Sequence, residues 1–180
     1  MNSTLAKTKC TILSLENSQN SATEERLLVE NEKCHLIAIS DTRTHTESER
    51  VKYLPGSTLS KRSGDYEGGI IDFIRTSAGG IVDLLIIGTE KDSYDYVKLL
   101  LTETGGTSGV TVCQVNLLYR EPRSYEVKYF FEAVRSLTLD DRYFLMRADR
   151  DRQSLKMQLF FVNHLEPYCL DRYMRMYSFD

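Results

Sequence analysis

The segment Ile81-Val-Asp-Leu-Leu-Ile-Ile87 constrains the fold more than any other part of the chain. Every residue in it except Asp83 is aliphatic, so no polar face alternates with an apolar one. A strand of that kind is buried on both faces, and helices must therefore cover both sides of its sheet. Gly79-Gly80 before it and Gly88-Thr89 after it mark its ends.

The flanks agree with a crossover arrangement. Upstream, Asp65 can cap a helix that places Tyr66, Ile70, Phe73 and Ile74 on one stripe and ends at Gly79-Gly80, although Gly68-Gly69 weakens it. Downstream, Asp92 or Ser93 can cap a helix with Tyr94, Val97, Leu100 and Leu101 inward, closed by Gly105-Gly106. A strand is expected over 110–119, followed by a helix over 124–137 on the spacing of Val127, Phe130, Phe131, Val134 and Leu137. Tyr125, Val127, Tyr129 and Phe131 also alternate with period two, which leaves a strand as the second reading of that segment.

Toward the amino terminus, residues 7–14 and 34–40 read as short buried strands, with a loop over 16–23 and a possible short strand at Leu27 to Glu30, so the first forty residues are expected to form a hairpin. Residues 41–64 have no sustained period. Toward the carboxyl terminus, 142–148 and 155–162 read as a hairpin around a charged turn, Asp149 to Gln153, and Pro167 opens a short helix over 168–177. The expected class is α/β: a mixed, mostly parallel sheet covered by helices, with an antiparallel hairpin in the C-terminal third, in one globular domain over 1–180. An α+β fold with a largely antiparallel sheet is the alternative.

Composition bounds the partners. With 41% hydrophobic and 27% charged residues the chain can bury a core, and its net charge of -3 provides no global field for nucleic acid, which is not expected as a partner. No apolar run approaches the roughly 20 residues that span a bilayer, and the amino terminus has no secretory leader, so a cytoplasmic protein without a membrane is expected. The four cysteines, Cys10, Cys34, Cys113 and Cys169, have no C-x-x-C spacing, so no metal site is expected. The first three sit in strand-like runs, where reduced thiols act as small buried hydrophobes.

Ligands of open α/β sheets bind beyond the carboxyl ends of the strands. After 34–40 comes Ser40-Asp-Thr-Arg-Thr-His45, and after 81–87 comes Gly88-Thr-Glu-Lys-Asp92. If the two strands are parallel neighbours, their polar ends share one crevice. Asp41 and His45 are then the candidate acid–base residues, and Arg43, Thr44, Thr89 and Lys91 the candidate contacts to a small anionic or nucleotide-like ligand. No cofactor is specified. The other reading is a non-enzymatic module that docks a protein partner, or self-associates as a homo-oligomer, through a Tyr-rich surface including Tyr168, Tyr173, Tyr177 and Phe179.

Other motifs carry less. Thr104 to Gly109 reads as a helix stop, since phosphate-binding loops run from strand to helix. Among the histidines, His35 lies within a strand and His164 before Pro167, both read as structural, which leaves His45. Glu126-Val-Lys128 matches the spacing of a metal-dependent nuclease strand but lacks the upstream acid and lies in the segment read as helix. Ile37 to Thr44, with Ser63-Gly64 and Gly105-Gly106-Thr107 following in order, resembles the first strand and later turns of molybdopterin-binding proteins. That resemblance implies a pterin ligand; Ser108 breaks the last motif, and the likeness stops by residue 109.

Overall fold

A computed structural model of the chain describes residues 9–15, 21–39, 49–54, 66–89, 109–120, 127–139, 141–151 and 156–174. The elements in order are β1 (Cys10–Ser14), α1 (Ser21–Glu30), β2 (Cys34–Ile39), β3 (Val51–Leu54), α2 (Tyr66–Ala78), β4 (Ile81–Thr89), β5 (Thr111–Arg120), α3 (Val127–Leu139), β6 (Tyr143–Asp151), β7 (Lys156–Asn163) and α4 (Pro167–Tyr173). The helix expected after Asp92 lies outside the described residues.

All strands join one seven-stranded sheet in the order β3-β2-β1-β4-β5-β7-β6. The first five are parallel neighbours, and β7 runs antiparallel to both β5 and β6. This is the expected mixed sheet with an antiparallel end, and α3 takes the helical reading of its segment. Helical spacing wins there because Phe130 and Ala133 turn inward while Tyr129 and Phe131 stay exposed, a period of three to four that no strand provides.

The sequence reading fails in three places. The first forty residues are not a hairpin: β1 and β2 are parallel, from Cys10 opposite Cys34 to Ser14 opposite Ala38, and α1 is the crossover between them. Leu27 to Glu30 belongs to that helix. Inside the segment expected to be irregular, Val51–Leu54 forms β3 at the edge of the sheet, with Leu36 opposite Val51. Third, β6 continues through Asp149, Arg150 and Asp151, where the charge run predicts a turn.

The core lies on both sheet faces. Leu13, Leu85, Ile87, Val115, Leu117 and Phe161 pack with Ile71, Phe73 and Ile74 of α2 and with Phe130 of α3. Ile12, Leu36, Ala38 and Ile86 pack with Leu28 of α1. Ring edges also interlock, with the Tyr119 and Phe130 centroids 5.6 Å apart and nearly perpendicular. Between α2 and β4, Gly79 and Gly80 have φ of 65° and 85°, a turn that a side chain would strain. A Cβ on Gly80 would also lie 2.7 Å from the Gly109 carbonyl oxygen. That close approach lets the Thr111 amide donate to the Gly80 carbonyl at 2.7 Å and start the β4–β5 ladder.

At the far end, buried Asn163 organises the entry to α4. Its Nδ2 donates to the Val112 carbonyl at 3.1 Å, and its Oδ1 accepts from the Leu165 and Glu166 amides at 3.2 and 3.1 Å.

The cysteines overturn an expectation. Cys10 and Cys34 form a disulfide between register partners on β1 and β2, with Cα atoms 4.2 Å apart, and Cys113 on β5 is bonded to Cys169 on α4 at 5.1 Å. They are not reduced core thiols. Sequence spacing hid the pairs because the first depends on parallel strand register and the second on where α4 docks. Such bridges persist in oxidising compartments, so a cytoplasmic placement does not follow from the cysteines. No described helix is long and apolar enough to cross a membrane.

Unfolded without reductant, the chain is expected to expose no reactive thiols, and after reduction four; a thiol-reactive chromophore counts them. From loop closure, Cys10→Ser with Cys34→Ser is expected to cost about 3 kcal/mol and Cys113→Ser with Cys169→Ser about 4 kcal/mol in urea melts. Free thiols before reduction would contradict the pairing.

Candidate functional site

Strand β1 has β2 on one side and β4 on the other, and the chain leaves it first toward β3 and later returns to add β4 on the opposite flank. In open α/β sheets, ligands bind outside the carboxyl ends of the strands at such a reversal of strand order. Ser14, buried at the end of β1, stands opposite Ala38 and Ile86, and the next amide, Leu15, donates to the Ile86 carbonyl at 2.8 Å. Beyond that level, β2 continues to Ile39, while β4 continues through Ile87, Gly88 and Thr89.

The site reading needed 34–40 and 81–87 as parallel neighbours; β2 and β4 are parallel but not adjacent, because β1 lies between them. Thr89 is the last residue of β4, with its side chain outside the described residues. Asp41, Arg43, Thr44, His45 and Lys91 lie outside the described residues. So does most of the stretch that resembles molybdopterin-binding proteins.

The polar cluster within the described residues lies at the opposite, amino end. Asp83 is 1% exposed. A carboxylate so buried must be paired and hydrogen-bonded or it would strongly favour the neutral form. Its Oδ2 accepts the Thr11 amide of β1 at 2.7 Å. Its Oδ1 accepts the Tyr173 hydroxyl at 2.5 Å and, at 3.4 Å, the Tyr168 hydroxyl, and lies 3.0 Å from Arg172 Nε. The arginine in turn donates to the Tyr168 hydroxyl at 3.0 Å and lies over both tyrosine rings, 5.7 and 5.8 Å from their centroids.

These contacts set the protonation of the cluster. Burial, then hydrogen bonding to Asp83 and the negative charge beside it, push the Tyr173 hydroxyl well above the ordinary tyrosine range, and Arg172 offsets this only in part. For Arg172, burial acts to weaken the charge, but Asp83 and the two tyrosines outweigh it and hold the guanidinium protonated. The cluster is an anchor for α4. Two crevices flank it, one of about 500 Å³ against Lys9, Thr11, His35, Ser77 and Tyr168, the other of about 560 Å³ against Glu30, Lys33, Arg172 and Tyr173. Tyr168 and Tyr173, expected to serve a docking surface, thus turn their hydroxyls to a buried acid.

Sequence reasoning passed over Asp83 as a blemish in an aliphatic run. The available signal was that blemish itself, since a lone acid in a strand buried on both faces demands a cation from elsewhere in the chain. Lys128 lies on helix α3, not on a strand, and pairs with Glu132 at 3.8 Å on the exposed surface, which removes the nuclease-like reading of Glu126 and Lys128.

No protein-family model matches the sequence, and no curated protein does. Solved structures are similar in fold. Human methyltransferase-like protein 13, solved in complex with SAH, superposes at a TM-score of 0.53 with 13% identity over 89% of this chain and 74% of its own. A putative ribosomal RNA methyltransferase from Plasmodium falciparum gives 0.53 and 10% over 87% of each chain. A protein of the NADB-Rossmann superfamily from Streptococcus agalactiae gives 0.49 and 12% over 88% of this chain, which spans 64% of that protein's length. The fold is Rossmann-like, of the form these methyltransferases share.

Asp83→Asn leaves Arg172 half-buried without its counter-charge and is expected to cost about 3 kcal/mol in urea melts at neutral pH. Tyr173 ionises near pH 10 in the unfolded chain but higher when folded. Its contribution is therefore complete below pH 10 and is lost as the pH rises beyond it. Tyr173→Phe should flatten that alkaline loss; an unchanged alkaline slope would contradict the anchor.

Proposed function

We propose that the chain binds an adenosine-bearing ligand of the S-adenosylhomocysteine class in the crevice at the carboxyl ends of β1, β2 and β4. The reversal of strand order at β1 carries this reading, because it is the place where open α/β sheets take their ligands. Similarity of fold to a methyltransferase solved with SAH supports the ligand class.

Asp41 follows β2 by two residues, where an acid in Rossmann-like sheets accepts the ribose hydroxyls. Arg43 and Lys91 offer cations for the ligand's carboxylate, with Thr44 and Thr89 as hydroxyl partners. In a catalytic site, His45 or Asp41 would take the proton that the acceptor loses and release it to solvent. The chain has no glycine between Cys10 and Pro55, so β1 is not followed by the glycine turn that lets backbone close on a pyrophosphate. A nucleoside with a carboxylate therefore fits better than a dinucleotide.

The second reading, a non-enzymatic docking module, draws on exposed apolar side chains: Tyr129 at 57% and Phe131 at 63% on α3, and Phe144 at 58% on β6.

Titration of the intact chain with S-adenosylhomocysteine, monitored by calorimetry and thermal melting, is expected to show saturable binding and a raised Tm. Asp41→Ala should weaken binding about tenfold or more, a loss of about 1.4 kcal/mol, without lowering the ligand-free Tm. Absence of binding at millimolar ligand, or equal binding by the variant, would overturn the reading.

A further inference from the structure

Strand β6 is the last strand at the antiparallel end of the sheet, and among the described residues no strand pairs with its outer side. An open edge offers a row of backbone N–H and C=O groups to any further strand. Charge of one sign along an edge repels a copy of it. This one carries both, in the run Arg147-Ala-Asp-Arg-Asp151. Arg147 Nε lies 2.5 Å from Asp149 Oδ2, and the two side chains are 74% and 44% exposed, so both signs are displayed together on one solvent-facing side.

Symmetry restricts how such a strand can meet itself. Residues directly opposite in an antiparallel pair both turn their backbone groups toward the partner or both turn them away. A two-fold axis relating two copies must therefore fall on a residue and not between two. An axis on Arg147, Asp149 or Arg150 sets a charge against its own copy, which is destabilising. An axis on Ala148 instead sets Arg147 opposite the second copy's Asp149 twice over, within the regular part of β6 that follows its irregularity between Leu145 and Arg147. The methyl groups of alanine meet at the centre.

We propose that β6 pairs antiparallel with β6 of a second copy of this chain about a two-fold axis at Ala148, joining two seven-stranded sheets into one. The pairing would also shelter Met146, 54% exposed, and the neighbouring Phe144. It accounts for an edge strand that bears apolar side chains beside charges of alternating sign.

Sedimentation equilibrium on the whole chain, from micromolar to submillimolar concentration, tests this. The native chain is expected to shift reversibly from one to two chain masses. Arg147→Asp and Asp149→Arg each put like charges opposite one another at two places and should weaken the dimer about tenfold. The double variant restores the opposite pairs and should recover native association. A native chain monomeric throughout, or a dimer indifferent to the two reversals, would overturn the proposal. Reversals that weaken the dimer with no rescue by the double variant would likewise overturn the Ala148 register.

Discussion

A carboxyl group enclosed by a sheet is costly unless its oxygens find partners, and Asp83 is enclosed that way at the amino end of β4. What makes it tolerable is that its partners arrive from two directions. The backbone of β1 supplies the Thr11 amide, and α4 supplies Arg172, Tyr173 and Tyr168. The acid therefore joins the central strand pair to the last helix of the chain. Where the Asp83 cluster fixes α4 against β1 and β4, the Cys113–Cys169 bridge fixes it to β5 as well. The Cys10–Cys34 bridge ties β1 to β2 at the same end, where Cys10 and Cys34 begin their strands.

Covalent and ionic restraint thus concentrates at the amino ends of the strands. The carboxyl ends carry the reversal of strand order and the loops that leave β2 and β4. A division of this kind would suit the proposed binding, with rigidity at one end keeping the strand tips in register. The proposed roles of Asp41, Arg43, Thr44, His45, Thr89 and Lys91 all belong to the second end. The edge pairing proposed for β6 uses a third region, across the sheet from both.

How much of this was legible in the sequence follows from the physics of each element. The unbroken aliphatic run of β4 and the helical stripes of α2 and α3 are strong local signals, and they yield a mixed sheet with an antiparallel end. Helix α1 is faint, with Leu28 buried but Val29 72% exposed, so little apolar pattern distinguishes it from a loop. Missing it turned a parallel β1–β2 pair into a hairpin. Strand β3 has four residues, none of them fully buried, too few to show a period. The disulfides and the Asp83 cluster depend on contacts between distant residues, Thr11 to Asp83 and Asp83 to Arg172, that no local pattern encodes. The polar segment after β2 stands out because its composition is unlike its surroundings, a signal of place and not of chemistry.

On the proposed function, the carboxyl end binds the ligand while the amino end anchors α4. Backbone amide shifts, followed by NMR while S-adenosylhomocysteine is added, report both ends at once. The expected result is saturable shifts at Ser14, Leu15, Ile39 and Gly88, with Thr11, His35, Gly79 and Asp83 unmoved. Shifts centred instead on Thr11, His35 and Gly79, which line or adjoin the amino-end crevice, would contradict it and move the binding site to the opposite side of the sheet.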